Sequence, residues 1–375
     1  MDSGLSSVPG FEHLARIPLY VPGKPIQEVQ RELGLSRIVK LASNENPWGP
    51  TAAVKARVAA AVAGSDTEGL NLYPVSDGPY LRRAIAARKG VAVDRVVLGN
   101  GSSELLEMVA KAAFLDGGSA VIPAYSFAIY NIATQTAGGR VIESRASATE
   151  LDVDDILRSV AEDTRLVYLG HPNNPTGIRL EKQALERLVR QLREDIVLVV
   201  DQAYAEYEDP ADYPDAAAYL DERPNLLVLH TFSKIHALAA LRVGYGLGSR
   251  ELLGYLERVR SPFNTNHLGQ VAAEVAVQDQ AFEAFSRQKN AEARAAFTLE
   301  AARHRCRLAG TCGNFVLLES AFAAKDLFRE LLQRGVIVRP MHGYGLPGHV
   351  RVTLGKPEEM QVFWSAIGPL LDGGC

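Results

Sequence analysis

Apolar residues fall along this chain in two alternating patterns. Short, nearly continuous runs rich in Val, Leu and Ile occur at Val96–Leu98, Ala120–Ile122, Leu166–Leu169, Ile196–Val200 and Leu226–Leu229, with a glycine-rich run at Val243–Leu247. Between them lie longer segments with helical spacing, such as Ala52–Ala63, Glu104–Phe114 and Lys182–Arg193. Strands that are apolar on both faces and separated by helices specify a mostly parallel sheet covered on both sides. The pattern therefore predicts an α/β fold whose large domain, residues 46–262, is doubly wound around a mostly parallel sheet. Residues 263–375 read as a smaller α+β domain. It opens with a charged helix over Gln278–Arg305 and continues with strands at Asn314–Leu318, Val336–Arg339 and His349–Thr353. Residues 1–45, with Pro18, Pro22, Gly23 and Pro25, read as an arm that joins the smaller domain.

Composition narrows the function classes. Hydrophobic residues make up 47% and charged residues 22%, enough apolar material for a large core. Lys plus Arg is 40 against 44 for Asp plus Glu, a net charge of −4. A nucleic-acid binder carries a basic excess, and none is present. No apolar run approaches the roughly 20 residues a membrane span needs. Met1–Gly10 lacks the basic start and apolar stretch of a secretion signal. The three cysteines, Cys306, Cys312 and Cys375, cannot build a disulfide framework. The expectation is a cytoplasmic protein with no nucleic-acid, membrane or metal partner.

Open α/β sheets bind ligands at the carboxyl ends of their strands, so the residues that follow each run are informative. Gly99-Asn100-Gly101-Ser102-Ser103-Glu104 follows the first run and leads into a helix. His171-Pro172-Asn173-Asn174-Pro175-Thr176-Gly177 follows the third, Asp201-Gln202-Ala203-Tyr204 the fourth, and His230-Thr231-Phe232-Ser233-Lys234 the fifth. Arg242 lies a short turn beyond Lys234. Taken singly, each is ordinary: a surface lysine, a carboxylate capping a helix, a turn. Together they bring an anion-binding turn, an amide, a carboxylate and an amine to one sheet edge.

Pyridoxal 5'-phosphate answers to that set. The turn at Gly101-Ser102-Ser103 offers free N–H groups and the positive end of a helix to a phosphate, and Arg242 adds a bidentate charge. Asp201 can hold the pyridine nitrogen protonated, which makes the ring an electron sink. Asn174 and Tyr204 can hydrogen-bond the ring hydroxyl. Lys234 can bond the carbonyl carbon and later act as general acid and base. His236 reads as a wall of the site.

These residues resemble a known family. Thr231–Lys234, Leu241-Arg242-Val243-Gly244-Tyr245 and Pro172–Gly177 look like the fold-type I pyridoxal-phosphate aminotransferases. Tyr20-Val21-Pro22-Gly23-Lys24-Pro25, Leu41-Ala42-Ser43-Asn44-Glu45-Asn46-Pro47 and Gly343-Tyr344-Gly345-Leu346-Pro347 narrow the resemblance to histidinol-phosphate aminotransferases. It implies a homodimer in which Tyr73 reaches the cofactor phosphate of the neighbouring subunit. It also implies Gly101, Ser102, Ser103, Thr231, Ser233 and Arg242 around the subunit's own cofactor, and either Phe127 or Tyr125 stacked on the ring. Arg351 matches the arginine that grips the substrate acid or phosphate, with Tyr20, Asn44, Asn314 and Arg339 beside it.

Two departures stand out. The family's Asp-Glu-Ala-Tyr is Asp201-Gln202-Ala203-Tyr204 here, and the run after the lysine, Ile235-His236-Ala237-Leu238-Ala239-Ala240, has Ala in place of two glycines and His236 in place of an aromatic. The expected reaction is transfer of an amino group from histidinol phosphate to 2-oxoglutarate. The alternatives are an aromatic or specialised-metabolite amino donor and, in another reaction class, decarboxylation of a phosphorylated amino acid.

Overall fold

A computed structural model describes residues 11–19, 26–35, 37–65, 68–320 and 322–372 of the chain. Its strands run in chain order as β1 (Val39–Lys40), β2 (Val96–Gly99), β3 (Ser119–Pro123), β4 (Arg140–Ser144), β5 (Thr164–Gly170), β6 (Val197–Asp201) and β7 (Leu226–Thr231). They continue as β8 (Gly244–Leu247), β9 (Arg307–Gly310), β10 (Phe315–Glu319), β11 (Val336–Ile337), β12 (Arg339–Pro340) and β13 (His349–Thr353).

Seven of these form one sheet in the order β2-β8-β7-β6-β5-β3-β4. β8 runs antiparallel to both neighbours, and the other pairs are parallel. The expected fold class holds. Consecutive residues of the central strands go to opposite cores: Val167, Leu198 and Val228 to one face, Tyr168, Val199 and Leu227 to the other. Burial on both faces is the reason these strands read as unbroken apolar runs.

A second sheet, ordered β12-β13-β10-β9, is antiparallel throughout. Val316, Leu318, Val350 and Val352 pack under Phe297 and Phe363, and Val39 and Leu41 enter the same core. β1 pairs in parallel with β11, so the chain's early segment is stitched to its late one. The long helix is Gln280–Arg303, its start capped by the Asp279 side chain, which accepts from the Phe282 N–H.

Four details differ from the sequence reading, the first being β1, whose two residues are too few to show as an apolar run. β4 was not expected: it is an edge strand beginning and ending in polar residues and largely half-exposed, so its apolar signal is weak. β9 was also missed, for the same reason, at the edge of the small sheet. The single strand expected over Val336–Arg339 is two short ones that pair with different partners, β11 with β1 and β12 with β13. Among the described residues no helix is long and apolar enough to cross a membrane.

The two sheets meet where the loop after β5 crosses the end of β9. The Cys312 N–H donates to the Gly177 carbonyl at 2.8 Å. A Cβ on Gly310 would stand 2.0 Å from the Thr176 carbonyl oxygen and 2.8 Å from the Gly177 carbonyl carbon. Both obstacles are backbone and cannot rotate aside. We expect Gly310→Ala to cost about 3 kcal/mol by forcing this crossing apart. A urea unfolding midpoint equal to that of the unmodified protein would show that the crossing is loose.

Candidate active site

The carboxyl ends of β2, β5, β6 and β7 open into a cleft of about 200 Å³ that is also lined by Arg339 and Arg351 of the small sheet and by Tyr344 in the connection between β12 and β13. At its β2 end, the helix Ser102–Ala113 begins without a side-chain cap, leaving its first N–H groups free. Gly101 has a φ of +76°, and a Cβ there would come 2.3 Å from Nη2 of Arg242, so only glycine lets the guanidinium lie against this turn. Arg242 donates through Nη1 to Ser233 Oγ at 3.1 Å and to the Ala239 carbonyl at 2.9 Å. Ser102 and Ser103 line the cleft beside it. An uncapped helix end, hydroxyls and a guanidinium make an anion cradle.

Asp201 ends β6, 6% exposed. The Tyr130 hydroxyl donates to its Oδ2 at 2.9 Å, and the Ala203 N–H to its Oδ1 at 3.1 Å. Burial raises its pKa above the ordinary carboxylate range, against the lowering pull of these two hydrogen bonds and of His230 and Lys234. A protonated ring nitrogen is the kind of partner that would favour its charged form. Lys234 follows β7, half-buried, its Nζ donating to the Ser43 carbonyl at 3.2 Å. Loss of hydration, reinforced by Arg351 and Arg242, lowers its pKa to about 7. That poises it as a neutral nucleophile and proton carrier.

The Tyr204 hydroxyl accepts a hydrogen bond from Asn44 Nδ2 at 3.0 Å. Burial pushes its pKa up to about 12, against the opposing pull of Arg351 and Asn44. Arg351, 7% exposed, donates to Asn174 Oδ1 at 2.5 Å and to the Ala42 carbonyl at 2.6 Å. With its oxygen engaged there, Asn174 has its amide N–H groups left to offer the cleft. Arg339 on β12 is the register partner of Arg351 on β13. Opposite residues of an antiparallel pair share a face, so two cations stand together at the mouth.

Thirteen of the residues singled out from sequence line the cleft: Asn44, Ser102, Ser103, Phe127, Asn174, Asp201, Tyr204, Thr231, Ser233, Lys234, Arg242, Arg339 and Arg351. Phe127 faces it, whereas Tyr125 lines a neighbouring cleft. Gly101 supports the floor through its contact with Arg242. Asn314 is one layer behind, fully buried and donating to the Asn44 carbonyl at 3.0 Å. Tyr73 is 82% exposed and stacks on Phe263 with ring centres 4.6 Å apart. Tyr20 lies outside the described residues.

His236 is not a wall of the site. It packs behind it against Phe232, ring centres 5.0 Å apart, because it sits inside a tight turn that begins at Lys234 and is closed by the Ala237 N–H donating to the Lys234 carbonyl at 2.9 Å. Gln202 also points away, donating to the Tyr213 hydroxyl at 2.8 Å. Sequence reasoning missed Ala42, Ser43, Tyr130, Pro172, Ala203 and Tyr344 in the lining. Tyr130 sits in the aromatic stretch that contains Phe127, but only the fold shows its hydroxyl meeting Asp201.

Comparison with known proteins agrees with this geometry. Residues 36–367 match the family model for aminotransferase class I and II. The chain is 42% identical to histidinol-phosphate aminotransferase 2 of Methylococcus capsulatus over 97% of its own length and 98% of the relative's. It is also 42% identical to histidinol-phosphate aminotransferase 2 of Pseudomonas aeruginosa, covering 97% of both chains. Its fold matches the crystal structure of histidinol-phosphate aminotransferase from Sinorhizobium meliloti in complex with pyridoxal-5'-phosphate, with a TM-score of 0.85 at 24% identity. That match covers 98% of this chain and 99% of the other.

The lowered lysine gives a direct test. In protein stripped of bound carbonyl compounds, reductive methylation of Lys234 is expected to half-saturate near pH 7, where its amine loses its proton. Surface lysines, titrating at about 10.4, should keep accelerating through pH 9. A Lys234 rate that climbs in parallel with theirs, read by peptide mass spectrometry, would refute the low pKa.

Proposed function

The chain belongs to the class I and II aminotransferases, and we propose that its amino donor is histidinol phosphate, with 2-oxoglutarate as acceptor and a cytoplasmic homodimer as the working form. Pyridoxal 5'-phosphate is the cofactor that the cleft's residues fit. The single observation that carries the donor assignment is the pair Arg339 and Arg351, register partners at the mouth. One arginine suffices for a carboxylate; two side by side suit a dianionic phosphate. The relatives named for the same donor support the reading. The loop changes at His236 that hinted at another donor lie behind the cleft and give it no support.

The division of labour follows from the side chains. Ser102, Ser103, Ser233 and Arg242, with the free N–H groups at Gly101, would bind the cofactor phosphate, and Thr231 and Phe127 would bound the ring. Asp201 would hold a proton on the ring nitrogen, while Asn174 and Tyr204 would donate to the ring oxygen. When bound, the cofactor supplies a carbonyl that takes up an amino group and a ring that draws electrons from the neighbouring carbon. With the donor in place, Lys234 would take the proton from the substrate carbon and hand it back as a general acid. Arg351 and Arg339 hold the donor's phosphate and, in the second half-reaction, the acceptor's carboxylate. Asn44 steadies Tyr204, with Asn314 behind it, and Tyr20 belongs to the same subsite by resemblance.

Tyr73 completes the phosphate site of the neighbouring subunit in this reading. It stands among exposed apolar side chains, Leu70 at 67%, Leu72 at 43% and Val75 at 51%, a surface that a second copy would cover. The same reading treats residues 1–45 as an arm that joins the small domain, 263–375, beside the large domain, 46–262.

A single-turnover absorbance titration of the pyridoxal-loaded protein distinguishes the donors. Histidinol phosphate, but neither phenylalanine nor tyrosine, should convert it rapidly to the pyridoxamine form. Conversion by the aromatic amino acids alone would overturn the assignment, and release of carbon dioxide without a keto product would move the protein to the decarboxylases. Lys234→Ala should lower kcat/KM at least ~10³-fold, and Arg339→Ala should raise KM for histidinol phosphate by about tenfold or more, the scale of one charged hydrogen bond.

A further inference from the structure

One hydroxyl group decides the direction of a chain of hydrogen bonds that ends at Tyr204. Thr353, at the end of β13, is 4% exposed. Its Oγ1 accepts from the Asn44 backbone N–H at 2.9 Å and donates to Asn44 Oδ1 at 3.1 Å. A hydroxyl has two lone pairs and one hydrogen; here a lone pair takes the backbone N–H and the hydrogen goes to the side-chain oxygen. The Asn44 amide is thereby oriented with its oxygen toward Thr353 and its NH₂ toward Tyr204, which it reaches at 3.0 Å.

The backbone is held to match. Asn44 has a φ of +54°, a left-handed conformation that asparagine adopts more readily than other non-glycine residues. Asn314 Nδ2 binds its carbonyl at 3.0 Å, and the Thr353 N–H binds the Leu41 carbonyl at 2.8 Å. The Tyr204 ring is fixed edge-on to Phe315, centres 5.1 Å apart. Its oxygen, receiving from Asn44, must point its own hydrogen elsewhere, and the cleft is the open side.

We propose that Thr353 is a positioning residue: through Asn44 it fixes Tyr204 as a hydrogen-bond donor toward the cofactor's ring oxygen. The inference rests on the cofactor reading above. Arg351 lies two residues earlier on the same face of β13, so the strand that would grip the donor also sets the donor strength of this tyrosine.

Thr353→Val keeps the shape and removes the hydroxyl; Thr353→Ser keeps the hydroxyl. The experiment follows the visible absorbance of the pyridoxal-loaded dimer against pH, together with the dissociation constant of the cofactor. With a weaker donor at the ring oxygen, its negative charge holds the proton shared with the lysine nitrogen more tightly, so the midpoint rises. T353V should raise it by about one pH unit and weaken cofactor binding about tenfold, while T353S stays close to the unmodified protein. The charged and titratable neighbours of Tyr204, namely Tyr130, Asp201, Tyr207, Lys234, Tyr344 and Arg351, are the same in every variant. Thr353→Ala repeats the test if T353V does not yield folded protein. An unmoved midpoint in either hydroxyl-free variant, or T353S displaced as far as T353V, overturns the proposal. Failure of the unmodified protein to bind pyridoxal phosphate would sink the cofactor reading instead.

Discussion

The hydrogen bond from Lys234 to the Ser43 carbonyl is the contact on which the arrangement of the site turns. An amine moved out of bulk water loses hydration, and two guanidinium groups in its surroundings make the charged form costlier still. Its protein acceptor is a backbone carbonyl, a neutral group that tolerates either protonation state. That carbonyl belongs to a segment fixed by the other sheet. Leu41 accepts from the Thr353 N–H, Ala42 from Arg351, and Asn44 is locked by the Thr353 hydroxyl. The large sheet delivers the lysine, and the small sheet delivers its acceptor.

The same logic governs the acidic side of the cleft. Asp201 is buried and, among the described residues, its hydrogen bonds come from the neutral Tyr130 hydroxyl and Ala203 N–H, a setting that a cation in the cleft would complement. Tyr130 can serve as its donor throughout, since burial beside the carboxylate holds the phenol well above its ordinary pKa. Behind the site, the chain solves a similar problem internally. Burial alone would raise the Glu206 carboxyl, but His230 at 2.9 Å and Lys89 at 3.6 Å outweigh it and hold the group well below the usual range. A carboxylate matched from within is structural; one left to be matched from outside is a binding group.

Much of this was legible along the chain because it depends on local order. Runs of apolar residues reveal central strands, since both faces of each are buried. The residues just past those runs reveal the cleft, since parallel strands all end on one edge. The edge strands β4 and β9 escaped notice because half of each faces solvent and no apolar run marks it. His236 was misplaced because proximity in sequence to Lys234 says nothing of direction once both lie in one tight turn, closed by the Ala237 N–H on the Lys234 carbonyl.

What the sequence by itself determined is the doubly wound sheet, the order in which Ser102, Asn174, Asp201, Tyr204 and Lys234 reach its edge, and hence the chemistry they can perform. What only the tertiary structure decided is how those groups are tuned. The acceptor for Lys234, the donor to Asp201 and the polarity of the Asn44–Tyr204 hydrogen bond all come from residues remote in the chain, at Ser43, Tyr130 and Thr353. Hydrophobic periodicity is written over a few residues at a time. The direction of a buried hydrogen bond is set by whichever donor or acceptor folding brings within 3 Å, and no local pattern encodes that.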